Sequence, residues 1–135
     1  MDRLSKNFTV AEMACPLTGE CVLQDGWIEL LQELRDYCGF PFRIVAGGGC
    51  RIKEFNKTIK GAAKNSFHLI GNELYGTDTC AVDIATRVPK ERDDIVAHAK
   101  AMGLSTIVYP AHIHVDARTA FAGLPVFHST GIYKK

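Results

Sequence analysis

Apolar positions between 26 and 38 recur at helical spacing: Trp27, Leu30, Leu31, Leu34 and Cys38, with Glu29, Glu33 and Asp36 between them. This predicts an amphipathic helix, ended by Gly39 and Pro41. Phe42–Ala46 is a short, largely apolar run and predicts a buried strand. Gly47-Gly48-Gly49 follows as a loop that lets a backbone or a ligand come close. Shorter helices are predicted around Val10–Cys15 and over Lys53–Lys60. Residues 61–79 carry Gly61, Asn65, Gly71, Asn72 and Gly76 and read as loop. Cys80–Ala85 reads as a strand. Pro89 opens a helix at its first turn and Gly103 closes it, with Ile95, Ala99 and Met102 as its apolar stripe. Ser105–Tyr109 and His112–Arg118 predict two further strands, parted by Pro110-Ala111. Strands with separate helices indicate an α+β chain. We expect one domain over residues 1–135, with a small, mainly antiparallel sheet flanked by helices.

Composition narrows the function classes. Sixteen basic and fifteen acidic residues give a net charge of +1. A sequence-independent grip on nucleic acid needs a clustered basic excess, so no nucleic-acid partner is expected. No stretch approaches the ~20 apolar residues of a membrane span, and the N-terminus has no apolar run like a secretory signal. The expectation is a monomer made in the cytoplasm without a signal peptide. In a chain of 135 residues the core suffices for folding, so a metal would serve function rather than structure. The five cysteines, at 15, 21, 38, 50 and 80, are odd in number and scattered, which argues against a disulfide framework. Cys15 and Cys21 are spaced wider than a usual zinc-ribbon pair.

Candidate chemistry lies in three places. On a strand, side chains alternate faces, so His112, His114 and Asp116 project together while Ile113, Val115 and Ala117 face the core. The plainer alternative is a solvated strand face, with Asp116 in a surface pair with Arg118. Asp83 is a lone carboxylate in the apolar strand Ala81-Val82-Asp83-Ile84. Buried, it needs a metal or a partner such as a nearby arginine. His68 sits in a glycine-containing loop just before that strand. Together, His68, Asp83 and His114 offer two nitrogens and one oxygen, the donor set of a catalytic zinc that keeps a water in its fourth position. His112 would lie beside the metal without binding it, placed as a general base.

The order Ser-x-His-x-x-Gly, Ala-x-Asp, His-x-His resembles the zinc D-Ala-D-Ala carboxypeptidases, a group that includes phage L-alanyl-D-glutamate endolysins, D-Ala-D-Ala dipeptidases and murein endopeptidases. The hedgehog signalling domain shares the fold. The resemblance runs from Leu4 to Arg118. It includes Asn7-Phe8-Thr9 with Glu12-Met13, and Val45–Arg51 followed by Glu54-Phe55-Asn56. It implies Zn2+ held by His68, Asp83 and His114, with His112 as the catalytic base. It further implies that Arg51 contacts substrate or steadies the transition state, and that Ser66 hydrogen-bonds substrate. Asp116 would hold a neighbouring ligand in place. The implied substrate is a peptidoglycan stem peptide. Access to the wall without a signal would suit a phage or prophage product.

The sequence also departs from that family. Asp83 follows His68 by fifteen residues, and the extra length falls at about 72–79. Tyr75, in this insertion, is placed to touch substrate, and Asp78 is a rival ligand that lacks the strand context. Cys50 stands where the family has tyrosine, and Gly48 and Ile52 where it has serines. Two other functions stay open. One is a zinc-binding wall-docking or phage structural module without catalysis; the other is a scaffold without metal.

Overall fold

The computed structural model describes residues 2–133. The described residues form five helices and one five-stranded sheet, the α+β architecture expected. The helices are α1 (Val10–Met13), α2 (Trp27–Cys38), α3 (Lys53–Asn56), α4 (Pro89–Ala101) and α5 (Arg118–Ala122). The strands are β1 (Arg43–Ile44), β2 (Ala81–Ala85), β3 (Ser105–Val108), β4 (His112–Asp116) and β5 (His128–Ile132), in the order β1-β2-β4-β3-β5. All pairs are antiparallel except β3 with β5.

Local sequence explains most of these elements. Thr9 and Glu12 form a capping box that starts α1, satisfying two otherwise unpaired backbone donors. Helix α2 buries Trp27, Leu31 and Leu34, and Gly39 ends it in the left-handed conformation that a glycine adopts without a Cβ penalty. Helix α4 opens at Pro89, turns Ile95 and Ala99 inward and packs against α2, where Tyr37 stacks on His98. Val82, Ile84, Ile113 and Val115 supply the sheet's contribution to the core beneath those helices. Their neighbours Asp83, His114 and Asp116 therefore project from the opposite face.

Three expectations need correcting. The run Phe42–Ala46 is not a buried strand: only Arg43 and Ile44 pair, at the sheet edge, opposite Ala85 and Ile84. Phe42 leaves the ladder to join Phe8 and Phe40 in an aromatic cluster, and Gly48 N–H donates to Val45 O to close a turn. Helix α3 stops at Asn56, because Thr58 and Ile59 bond back three residues and tighten its end. Strand β4 stops at Asp116, whose Oδ1 accepts from Arg118 N–H and turns the chain into α5. Neither α5 nor β5 was expected; β5 has half-buried and exposed residues and no apolar run to announce it.

The triple glycine is a place of close backbone approach. A Cβ on Gly48 would lie 2.9 Å from the Asp83 Cβ, and one on Gly49 would lie 2.5 Å from Met13 O. The turn also pairs with β2: Val45 N–H donates to Asp83 O, and Asp83 N–H to Gly48 O. Gly49→Ala should therefore destabilise the protein by about 1–3 kcal/mol, through overpacking against backbone that cannot rotate away. Chemical denaturation measures it, and an unchanged midpoint would contradict this packing.

Candidate metal centre

Asp83 and His114 are direct cross-strand partners in the β2–β4 ladder. Their Cβ atoms leave the sheet on the same face, at the separation that brings opposed side chains into contact. His68 reaches them from the 61–79 loop. Its backbone is fixed at both ends: its N–H donates to Ser66 Oγ, and its carbonyl accepts from Arg51 N–H and from the Thr79 hydroxyl. Asp83 Oδ1 then lies 3.2 Å from His68 Nε2 and 3.2 Å from His114 Nδ1.

The far side of each group is held as well. His68 Nδ1 lies 2.8 Å from Gly49 O, an atom that can only accept, so Nδ1 carries the proton and Nε2 turns its lone pair inward. His114 Nε2 lies 2.8 Å from Asp116 Oδ2. Asp83 Oδ2 accepts from Arg51 Nη2 at 3.2 Å. Arg51 is in turn tied to Gly47 O and Asn56 Oδ1, and its side chain is only 8% exposed.

Burial and charge act on these groups in opposite senses. Burial lowers the His68 pKa despite the nearby Asp83. For His114 burial also pulls down, but the bonds to Asp116 and Asp83 outweigh it and raise the pKa to about 9. Burial pushes Asp83 up, yet the two histidines hold it well below the usual carboxylate range. Asp116, fully buried, is likewise held low by His114 and Arg118 against its burial.

This donor set fits a zinc ion. The three inward atoms lie within 4.8 Å of one another. The two nitrogen–oxygen separations of 3.2 Å are close to the edge of a tetrahedron with metal–ligand bonds of about 2.0–2.1 Å. Outer partners that fix ring orientation are typical of metal-ligating histidines. Among the described residues this is the only cluster of three or more His, Cys, Asp or Glu with that convergence. Asp78, the rival ligand, instead accepts from Gly71 N–H. The cysteines are free, with Cys50 packed 3.9 Å from Cys21.

The cluster lies in a cleft of about 400 Å3, together with Arg51, Ser66, Tyr75 and His112. His112 lines it from two residues before His114, stacked on Tyr109. Ser66 is buried and turns the His68 loop. Tyr75 stacks on Phe67, with 5.1 Å between ring centroids. The 72–79 insertion is a compact turn: Asn72 Nδ2 donates to Asn65 O and Ser66 O, and Asn72 Oδ1 accepts from Tyr75 N–H. Asp116 is in no surface pair; it bridges His114 and Arg118 from a fully buried position. Tyr109 and Arg118 also line the cleft, and neither carries a signal of that role in the sequence. Tyr109 is raised by burial and by the Asp83 charge, which places its phenol in the same field.

Metal must displace a proton from His114 below pH ~9, so affinity should rise with pH. We expect apparent zinc affinity to increase by about one log unit per pH unit between pH 7 and 9 and then to level, as one proton is released per ion. His114→Ala should lose at least ~100-fold in affinity. Competition against a chromophoric chelator measures both; a flat pH profile would contradict a protonated His114 in the metal-free site, and unchanged zinc affinity in the variant would remove His114 from the ligand set.

A protein-family model described as Peptidase M15 matches residues 6–116. That span runs from before α1 to the end of β4 and contains every residue of the His68, Asp83, His114 cluster. No curated protein and no solved structure matches the chain. The chain belongs to the M15 peptidases, the family of the zinc D-Ala-D-Ala carboxypeptidases.

Proposed function

We propose that the protein is a zinc metallopeptidase that cleaves D-amino-acid-containing peptide bonds of peptidoglycan stem peptides, of the D-Ala-D-Ala carboxypeptidase or L-Ala-D-Glu endopeptidase type. The observation that carries this reading is the convergence of His68, Asp83 and His114 in one cleft with His112, in a chain of peptidase family. A zinc ion held by those three groups supplies a water of lowered pKa and a Lewis acid for the scissile carbonyl.

The chain's own groups do the rest. His112 accepts the proton of the attacking water and returns it to the leaving amine. Arg51 is so fully tied to Gly47, Asn56 and Asp83 that it orients Asp83 and presents only its outer N–H groups to the developing oxyanion. Ser66 offers its hydroxyl and Tyr75 a ring face to the peptide. Asp116 keeps His114 in the tautomer that ligates. The site of action is the cell wall, reached as a phage or prophage product, with no nucleic-acid or membrane partner, by a monomer.

The alternative of an inactive wall-docking module rests on the altered Gly48–Ile52 segment and on the 72–79 insertion, whose Tyr75 lines the cleft. The departures at Gly48, Cys50 and Ile52 do not line it; Gly48 packs on Asp83, and Cys50 lies beside Cys21. Those substitutions therefore act on the scaffold behind the site rather than on the substrate surface.

Purified muropeptides incubated with the protein, with and without chelator, test the reading by mass spectrometry. Chelator-sensitive cleavage is expected, and the mass lost identifies the bond. His112→Ala should keep its zinc and lose about 10^2–10^4 in kcat. No cleavage by zinc-loaded protein would overturn the peptidase reading, and full turnover in the variant would remove His112 from the mechanism.

A further inference from the structure

The cleft is lined by Arg51, Arg118 and Lys64 and by one carboxylate, Asp83, with a second, Asp116, buried behind Arg118 and His114. Asp83 is committed to two histidines and Arg51, and Asp116 to His114 and one edge of Arg118. A ligand entering this space meets a small excess of positive charge, and bound zinc would add to it. An anionic substrate is the chemistry such a field selects.

The two arginines are not equivalent. Arg51 is spent on Gly47, Asn56 and Asp83 and is almost fully buried. Arg118 is more open, with 20% of its side chain exposed. A guanidinium has two edges that can each hold a carboxylate. Asp116 takes the Nε–Nη2 edge of Arg118, at 3.0 Å from Nε to Oδ1 and 2.7 Å from Nη2 to Oδ2. The end edge, Nη1 with the outer Nη2 hydrogen, meets no protein acceptor among the described residues. Two aromatic rings hold the guanidinium in place, its Cζ lying 5.4 Å from the Phe67 ring centroid and 5.6 Å from that of Phe127.

Position sets the reach. Asp116 Oδ2 bonds both Arg118 Nη2, at 2.7 Å, and His114 Nε2, at 2.8 Å. Two hydrogen bonds and one imidazole width thus separate the guanidinium from the His114 nitrogen that faces Asp83. Consecutive Cα atoms of a peptide lie ~3.8 Å apart, so this path, an upper bound on the separation of the two nitrogens, corresponds to no more than about two residues of substrate. Arg118 also lies just beyond the residues matched by the family model, in the turn that opens α5.

We infer that Arg118 determines substrate specificity, by binding through its end edge a carboxylate that the peptide carries one or two residues from the scissile bond. This rests on the peptidase reading above and names the substrate feature it requires. The preferred substrates are free acids, and peptides amidated at that carboxylate are poor ones.

Peptides containing L-Ala-D-Glu and D-Ala-D-Ala bonds, each made with the neighbouring carboxylate free or as its carboxamide, provide the test. Calorimetric titration into zinc-loaded protein gives Kd, and wild-type turnover of the same peptides gives kcat/KM. Amidating the recognised carboxylate should weaken binding about 10–100-fold, mainly in KM, the loss of a charge-assisted bidentate contact. Arg118→Met with zinc still bound should bind acid and amide alike, and Arg118→Lys, which keeps the charge without the planar fork, should fall between. Equal binding of acid and amide by the wild type would overturn the proposal. So would an Arg118→Met loss that is the same for both forms, since that marks the residue as only a brace for Asp116. Acid-selective binding without any cleavage would sustain the role of Arg118 while removing the peptidase reading; cleavage indifferent to amidation would do the reverse.

Discussion

One buried carboxylate organises this molecule. Asp83 stands in the middle of β2, with apolar neighbours on the opposite face, and is 6% exposed. An ionised carboxylate there carries a large desolvation cost unless charge and hydrogen bonds offset it. The offset comes from three directions: His68 from a loop, His114 from the adjacent strand and Arg51 from the end of the glycine turn. Segments far apart in sequence are thus bound to one pair of oxygen atoms. The same convergence that solves the burial problem creates the geometry of the candidate metal centre, so scaffold stability and site assembly share one set of contacts.

The glycine turn makes that convergence possible. Its residues have no side chains to hold it away from β2 or from α1, and it turns its carbonyls to the site: Gly47 O takes Arg51 Nε–H, and Gly49 O takes His68 Nδ1–H. The 72–79 insertion does related work from the other side. Asn72 ties it to residues 65 and 66, and Thr79 bonds the His68 carbonyl. An added segment at the rim of a cleft suggests a cover; here its bonds brace the loop that carries His68.

The convergence of Asp83 and His114 was legible in the sequence because strand alternation is rigid: both had to leave the core face once Val82, Ile84, Ile113 and Val115 occupied it. Helices α2 and α4 were legible from their stripes and their Gly and Pro ends. What the pattern does not reveal depends on partners distant in sequence. Residues 42–46 look like a strand, but only two pair, because Phe42 is drawn to Phe8 and the turn begins at Val45. Strand β5 is held by pairing with β3 rather than by its own apolar content. In the sequence Arg118 looks like half of an ordinary surface pair; only the full burial of Asp116, and its second bond to His114, show that the pair belongs to the site. The Asp83 alternatives, metal ligand or partner of an arginine, prove compatible, since one oxygen faces the histidines and the other faces Arg51.

The central claim is that a metal is held by two imidazole nitrogens and one carboxylate oxygen, and by no cysteine. Zinc-edge X-ray absorption of the zinc-loaded protein tests it most directly. The expected spectrum has only nitrogen and oxygen neighbours at about 2.0–2.1 Å, with the outer-shell scattering of two imidazoles. A sulfur shell near ~2.3 Å, or an ion with a single imidazole or none, would contradict it.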